Sequence, residues 1–137
     1  MNIVQGQGLM MCLDFADGAE CTYPRTFLVL DTDVQSNQIS LLNISSVKKK
    51  EHKLLYSSNL NVVKFKPPFY LKSFVKLDSL YVIEYFPDLV NKVMDGGQTL
   101  DPLELTNIQF RYNSYLTDNE VNSVFYQIDK VRSLNAL

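Results

Sequence analysis

The chain has 137 residues, 46% hydrophobic and 20% charged, with 13 Lys+Arg set against 15 Asp+Glu. This length allows one domain with a core that needs no disulfide staples, and the longest apolar runs, Phe27–Leu30 and Leu80–Ile83, are too short to span a bilayer. The net charge of −2 hides a segregation: residues 48–76 hold eight lysines and one acid (+7), residues 1–47 sum to −4, and residues 77–137 sum to −5.

A field of one sign gathered in the middle of a chain points to a polyanionic partner such as nucleic acid. The competing reading is a lysine-rich face that only solvates the surface. The N-terminus has no basic stretch followed by an apolar one, so no secretory signal, no membrane partner and a cytoplasmic location are expected.

In chain order, the first half reads as strands. Leu9–Phe15 leads into Ala16-Asp17-Gly18-Ala19, where Asp-Gly signals a hairpin because glycine tolerates positive φ. Cys12 and Cys21 flank that turn. They could face each other, but without an export signal two reduced thiols are expected, and neither has a Cys or His at metal-ligand spacing.

Phe27–Asp31 suits a buried strand, and Gln38–Ile44 continues the pattern after Gln35-Ser36-Asn37. Asn61–Phe65 and Phe74–Tyr85 are further strands, separated by the breaker Lys66-Pro67-Pro68. Within the last strand Phe74, Lys76 and Asp78 alternate with Ser73, Val75 and Leu77, so the faces are not cleanly apolar and polar.

The second half reads as helical. Pro87–Met94 is a short candidate stopped by Asp95-Gly96-Gly97. Asp101-Pro102-Leu103-Glu104 carries an N-cap, a proline at the first helical position and an acid two residues later. Thr117-Asp118-Asn119-Glu120 reads as a second capping box, followed by Val121, Val124, Phe125, Ile128 and Val131 as one helical stripe. No repeat or linker justifies a domain boundary, so residues 1–137 are expected to form one domain. Strands followed by helices argue for α+β with the sheet curled into a small barrel.

Several chemistries are disfavoured. Gly6-Gln7-Gly8 lacks the third glycine of a dinucleotide site and precedes a strand; no phosphate-loop lysine motif is present; one histidine cannot build a multi-histidine metal site. No cofactor is expected. What remains suits metal-free cleavage of RNA, which needs a group to take the 2′-hydroxyl proton, a cation for the phosphorane and a donor for the leaving oxygen. Arg25 could grip a phosphate, Ser45 and Ser46 could hold phosphate oxygens or the 2′-hydroxyl, and Lys48 or Lys50 could stabilise charge. His52 is the one side chain whose unperturbed pKa lies near neutrality. Lys49, Lys50, His52, Lys53, Lys64 and Lys66 are the candidate RNA-binding residues. Against these stand a plain salt bridge for Arg25 and an idle surface role for His52.

The order of these elements resembles the MazF/PemK-type toxin superfamily. Gly8–Phe15 with Asp17-Gly18 is similar to its first strand and loop. Tyr23-Pro24-Arg25-Thr26 before Phe27–Leu30 is similar to its Arg-Pro step, with the proline here preceding the arginine. Ile39–Ser46 is similar to the strand ending in a catalytic Thr or Ser, Ser73–Ile83 to the late strand pair, and Leu100-Asp101-Pro102-Leu103-Glu104-Leu105 to the C-terminal helix. Ile44-Ser45-Ser46-Val47-Lys48-Lys49-Lys50-Glu51-His52 also resembles the run in ToxN-type, RNA-inhibited toxins, with one extra residue before the histidine.

The resemblance implies an SH3-like barrel with C-terminal helices packed on it, and a metal-independent endoribonuclease cutting single-stranded RNA. It implies Arg25, Ser45, Ser46 and Lys48 as catalytic residues and a cognate antitoxin, protein or RNA, as partner, and it leaves a homodimer open. The same fold also serves toxins that bind a protein target such as gyrase, for which the apolar Val131–Leu137 tail is the relevant feature. A module that binds nucleic acid without cutting it is the third reading.

Overall fold

The computed structural model describes residues 1–137. Six strands, β1 (Gly8–Met11), β2 (Arg25–Asp33), β3 (Gln38–Ser46), β4 (Asn59–Val62), β5 (Ser73–Glu84) and β6 (Asn122–Tyr126), form one sheet. The order is β1-β2-β3-β5-β4, antiparallel throughout, and β6 joins β5 in parallel. Helix α1 (Pro102–Asp118) and helix α2 (Ile128–Asn135) complete the fold, with short 3₁₀ turns at Glu51–Leu55, Pro87–Lys92 and Asp95–Gly97. The α+β mixture matches the expectation, whereas the sheet stays open between β1 and β4 and closes no barrel.

Both faces of the sheet are covered, which explains the unbroken apolar run in β2. Phe27 and Val29 join Leu9, Ile39, Leu41, Tyr81 and Ile83 under Val131 of α2. Leu28 and Leu30 join Leu42, Ile44, Val75 and Leu77 under Ile108 and Tyr112 of α1. Asp101 caps α1 as its sequence indicates, accepting from the backbone N–H of Leu103 (3.0 Å) and Glu104 (3.1 Å). The Glu104 carboxylate accepts instead from the N–H of Val63 (2.9 Å), tying the end of β4 to the start of α1.

Three expectations need correction. The stripe from Val121 to Val131 is not one helix: α1 runs on to Asp118, Asn122–Tyr126 is β6, and only Ile128–Asn135 is helical. Val124 and Tyr126 point into the core while Phe125 is exposed, so a period of two operates where the spacing also fitted 3.6. The segment Pro87–Lys92 winds as 3₁₀ rather than α-helix. The two cysteines are not free thiols: Cys12 and Cys21 form a disulfide, because the turn between them returns the chain to a Cα–Cα distance of 5.8 Å.

Strand β5 is the element that shapes the site. Leu42 pairs with Leu80 and Ile44 with Val75, so Asn43 alone stands opposite Lys76, Leu77, Asp78 and Ser79. The far edge of β5 changes partner at the same point. Lys76 ends the ladder with β4, opposite Asn59, and Ser79 begins the ladder with β6, opposite Asn122. A bulge of this kind bends the strand and re-aims its side chains.

Candidate active site

A polar cavity of about 360 Å³ opens at this bulge, on the face that carries Phe27 and Tyr81. Its walls come from the bulge (Lys76, Asp78), from β3 (Asn43), from the segment after β3 (Lys53, Tyr56) and from the loop between β1 and β2 (Phe15).

The β1–β2 loop is held at many points. Gly18 sits at φ +94° with open space around it, so glycine is needed there for its backbone conformation rather than for lack of room. The N–H of Gly18 donates to Phe15 O (2.9 Å), forming the turn, but the chain pairs with no strand again until Arg25. The N–H of Ala16 donates to the Tyr81 hydroxyl (3.2 Å), and the Tyr126 hydroxyl donates to Asp14 O (2.7 Å). Asn135 of α2 brackets Cys12, accepting from its N–H (2.6 Å) and donating to its carbonyl (2.8 Å). The Asp14 carboxyl is held below the usual range by the Cys21 N–H and by Lys130, whose Nζ lies 3.1 Å away.

This loop presents Phe15 to Arg25, the first residue of β2. The guanidinium lies 3.6 Å from the Tyr23 ring centroid and 5.1 Å from that of Phe15. Cation–π contact holds the guanidinium in place without using its N–H groups. Arg25 Nε is buried and has no hydrogen-bond partner, and Arg25 belongs to neither of the two ion pairs in the protein. The salt bridge weighed for this residue does not form.

Lys76 is half-buried on the bulge. Desolvation pushes its pKa below 10.5; the charges of Lys53, Lys50 and Arg25 push the same way, and Asp78 opposes them. Four cations from three parts of the chain therefore share one field. Asn43 is buried, and its Nδ2 donates to Thr26 O (3.1 Å).

The residues singled out from the sequence divide between the two faces. Ser45 follows Asn43 by two positions in β3, on the Arg25 side, and pairs with Phe74 on β5. Ser46 is on the other side, beside Thr26, Ile44 and Phe69. There Ser46 Oγ accepts from the N–H of Lys48 (3.2 Å), and both residues line a shallow groove with Glu51 and Lys72. Lys53 lines the cavity and Lys50 lies within its field, while Lys49 is exposed just before the 3₁₀ turn and His52 is exposed within it. Lys64 and Lys66 line a third groove near the start of α1, where Lys64 approaches Asp101 at 3.8 Å. Arg25, Lys50 and Lys53 thus share the field of Lys76, Ser45 lies on the same face of the sheet, and Ser46, Lys48, Lys64 and Lys66 lie elsewhere.

Sequence reasoning missed Lys76 and Asp78 as site residues. The signal was the pair of charges, Lys76 and Asp78, alternating with the apolar Val75 and Leu77 inside a strand. Val131 is fully buried and Leu137 packs against the same cluster, so core packing accounts for the apolar tail. No helix is long and apolar enough to cross a membrane.

No family model matches the chain, and no curated protein matches it. Among solved structures it is similar to an endoribonuclease from a mycobacterial species, determined in complex with its cognate antitoxin. The TM-score is 0.53 at 11% identity, over 85% of this chain and 96% of that one. The two chains share a fold.

Proposed function

We propose that the protein is a metal-independent endoribonuclease, the toxin of a toxin–antitoxin or phage-abortive pair, that cuts single-stranded RNA through attack of a ribose 2′-hydroxyl on the adjacent phosphorus. The observation that carries this reading is a polar cavity lined by Lys53 and a desolvated Lys76, with Arg25 stacked behind its Phe15 wall and within the field of Lys76. In this reading Lys76 takes the 2′-hydroxyl proton, because a lowered pKa raises its neutral fraction near working pH, and the ammonium so formed returns a proton to the 5′-oxygen as the P–O5′ bond breaks. Arg25, held over the Tyr23 ring, binds the phosphate and stabilises the phosphorane. Lys53 and Lys50 add positive field, and Ser45, on the same face of the sheet, is left as a contact to the RNA. The shared fold with an endoribonuclease supports the same reading, and a cognate antitoxin is the partner it brings with it. Ser46, Lys48, Lys49, Lys64 and Lys66 are assigned to outer contacts with the RNA backbone, with His52 among them.

The test is cleavage of a defined single-stranded RNA by the purified chain in EDTA. Expected products end in a 2′,3′-cyclic phosphate and a 5′-hydroxyl, because the nucleophile is internal. Arg25→Ala lowers the rate by about 10²–10³-fold, the usual cost of one oxyanion donor. Intact RNA, or ends bearing 3′-hydroxyl and 5′-phosphate, would refute the mechanism.

A further inference from the structure

The cavity holds more than a phosphate needs. Each strand around the bulge contributes a carboxamide to it: Asn43 from β3, Asn59 from β4 and Asn122 from β6. Two of these are already oriented. Asn43 Nδ2 donates to Thr26 O (3.1 Å) and Asn59 Nδ2 donates to Lys53 O (2.9 Å), so both turn an amide nitrogen to the backbone and keep their oxygens for other donors. Asp78 stands among them in neither of the protein's ion pairs, with only the Ser79 hydroxyl at 3.4 Å from its Oδ1. Phe15 and Tyr56 supply aromatic surface at the same opening.

The lining thus joins hydrogen-bond acceptors, aromatic faces and adjacent cations. Its complement is a flat heteroaromatic ring with a donor-rich edge, attached to a phosphate. Unstacked bases of single-stranded RNA are recognised in this way, by aromatic stacking and by hydrogen bonds to their edges. The bases differ sharply in what they offer a carboxylate. Guanine presents N1–H and the 2-amino group side by side, two donors that match the two oxygens of Asp78. Adenine and cytosine pair each amino group with a neighbouring acceptor nitrogen. Uracil flanks its single N–H with two carbonyls, which a carboxylate repels. The volume is ample for one base, since about 300 Å³ already accommodates whole small ligands.

We infer that this cavity is a guanine-binding subsite beside the phosphate cations, with Asp78 the residue that selects the base. The inference rests on the reading of Arg25 and Lys53 as a phosphate site beside Lys76, and it adds a sequence preference to that site.

The experiment titrates the full chain with guanosine, inosine, adenosine, cytidine and uridine 3′-monophosphates, and with inorganic phosphate, by calorimetry. Guanosine 3′-monophosphate is expected to bind at least about tenfold more tightly than the adenosine, cytidine and uridine compounds. The inosine compound, which lacks only the 2-amino group, should lose most of that advantage. Asp78→Asn, which keeps the shape of the side chain, should bring the preference to within about twofold and leave phosphate affinity undiminished. Equal binding of all the nucleotides, or a guanine preference that survives Asp78→Asn, would overturn the guanine subsite while leaving the phosphate site standing. Binding of neither nucleotide nor phosphate would overturn both.

Discussion

Lys76→Met is the perturbation that best separates a catalytic lysine from a structural one. Methionine fills nearly the same volume but removes the ammonium. In the folded protein that charge is unwelcome: burial disfavours it first, Lys53, Lys50 and Arg25 repel it, and only Asp78 favours it. Its removal should therefore leave stability unchanged or raise it, as measured by the urea midpoint at neutral pH. Cleavage should fall by about 10²–10⁴-fold, the usual contribution of a positioned proton acceptor and about 2.7–5.5 kcal/mol of barrier.

The pH dependence follows from the same shift. Between the lowered folded-state pKa and 10.5 the unfolded chain binds more protons than the folded one, so wild-type stability climbs with pH through that window. Lys76→Met should lack the climb. The wild-type single-turnover rate should rise with pH and level off below 10.5, and the variant's residual rate should not show that limb. Wild-type cleavage by the variant would refute the proton-transfer role, and activity lost in step with a lowered urea midpoint would make Lys76 a packing residue.

Two further outcomes test the surroundings of the site. If Arg25, Lys50 and Lys53 and the outer lysines Lys48, Lys49, Lys64 and Lys66 each meet a phosphate, RNA affinity should fall with salt at a log–log slope of about −4.9, and Lys53→Ala should make that slope shallower by about 0.7; a flat profile in a filter-binding assay would reduce the lysines to solvation. Replacing Cys12 and Cys21 together with serine should cost about 2–3 kcal/mol of stability for a cross-link spanning 9 residues, with cleavage lowered less than tenfold, because Tyr81, Tyr126 and Asn135 still hold the loop. A loss of cleavage beyond a hundredfold in a folded variant would mean that the bond itself sets the position of Phe15.

What the sequence disclosed depended on whether the signal was local. Asp101 before Pro102 fixes its own cap, and Asp17-Gly18 fixes its own turn, so both are readable from a few residues. β2 and β3 are apolar enough to be read as strands whatever they pair with. β6 is different. Val124 and Tyr126 reach the core only because Asn122–Tyr126 lies parallel to β5, a pairing across some 40 positions that no short window contains. The disulfide was hidden for a related reason, since only the folded loop brings the two Cα atoms together. Within the site, Arg25 stood out by its place at the start of an apolar strand. Ser45 and Ser46 looked equivalent as neighbours, and the strand then sent them to opposite faces.

The location of the cavity follows from topology more than from any one side chain. The outer edge of β5 carries an antiparallel neighbour on one half and a parallel neighbour on the other. The two ladders space their hydrogen bonds differently, so one strand cannot serve both in unbroken register. The break falls at Leu77, whose N–H reaches back to Ser58 O (2.7 Å), with β4 ending on one side and β6 beginning on the other. β3 contributes only Asn43 across the same stretch, so the bulge projects Lys76 and Asp78 into the gap between neighbours. Leu77, which alternates with them, is buried in the core against α1 and anchors the bulge from the opposite face. The charges at 76 and 78 are thus carried on a strand anchored in the core through Leu77, and the lysine-rich segment after β3 needs only to approach it. That division of labour, with a fixed strand presenting Lys76 and a surface segment bringing Lys50 and Lys53, is why variation in the surface lysines should tune affinity while the bulge sets the chemistry.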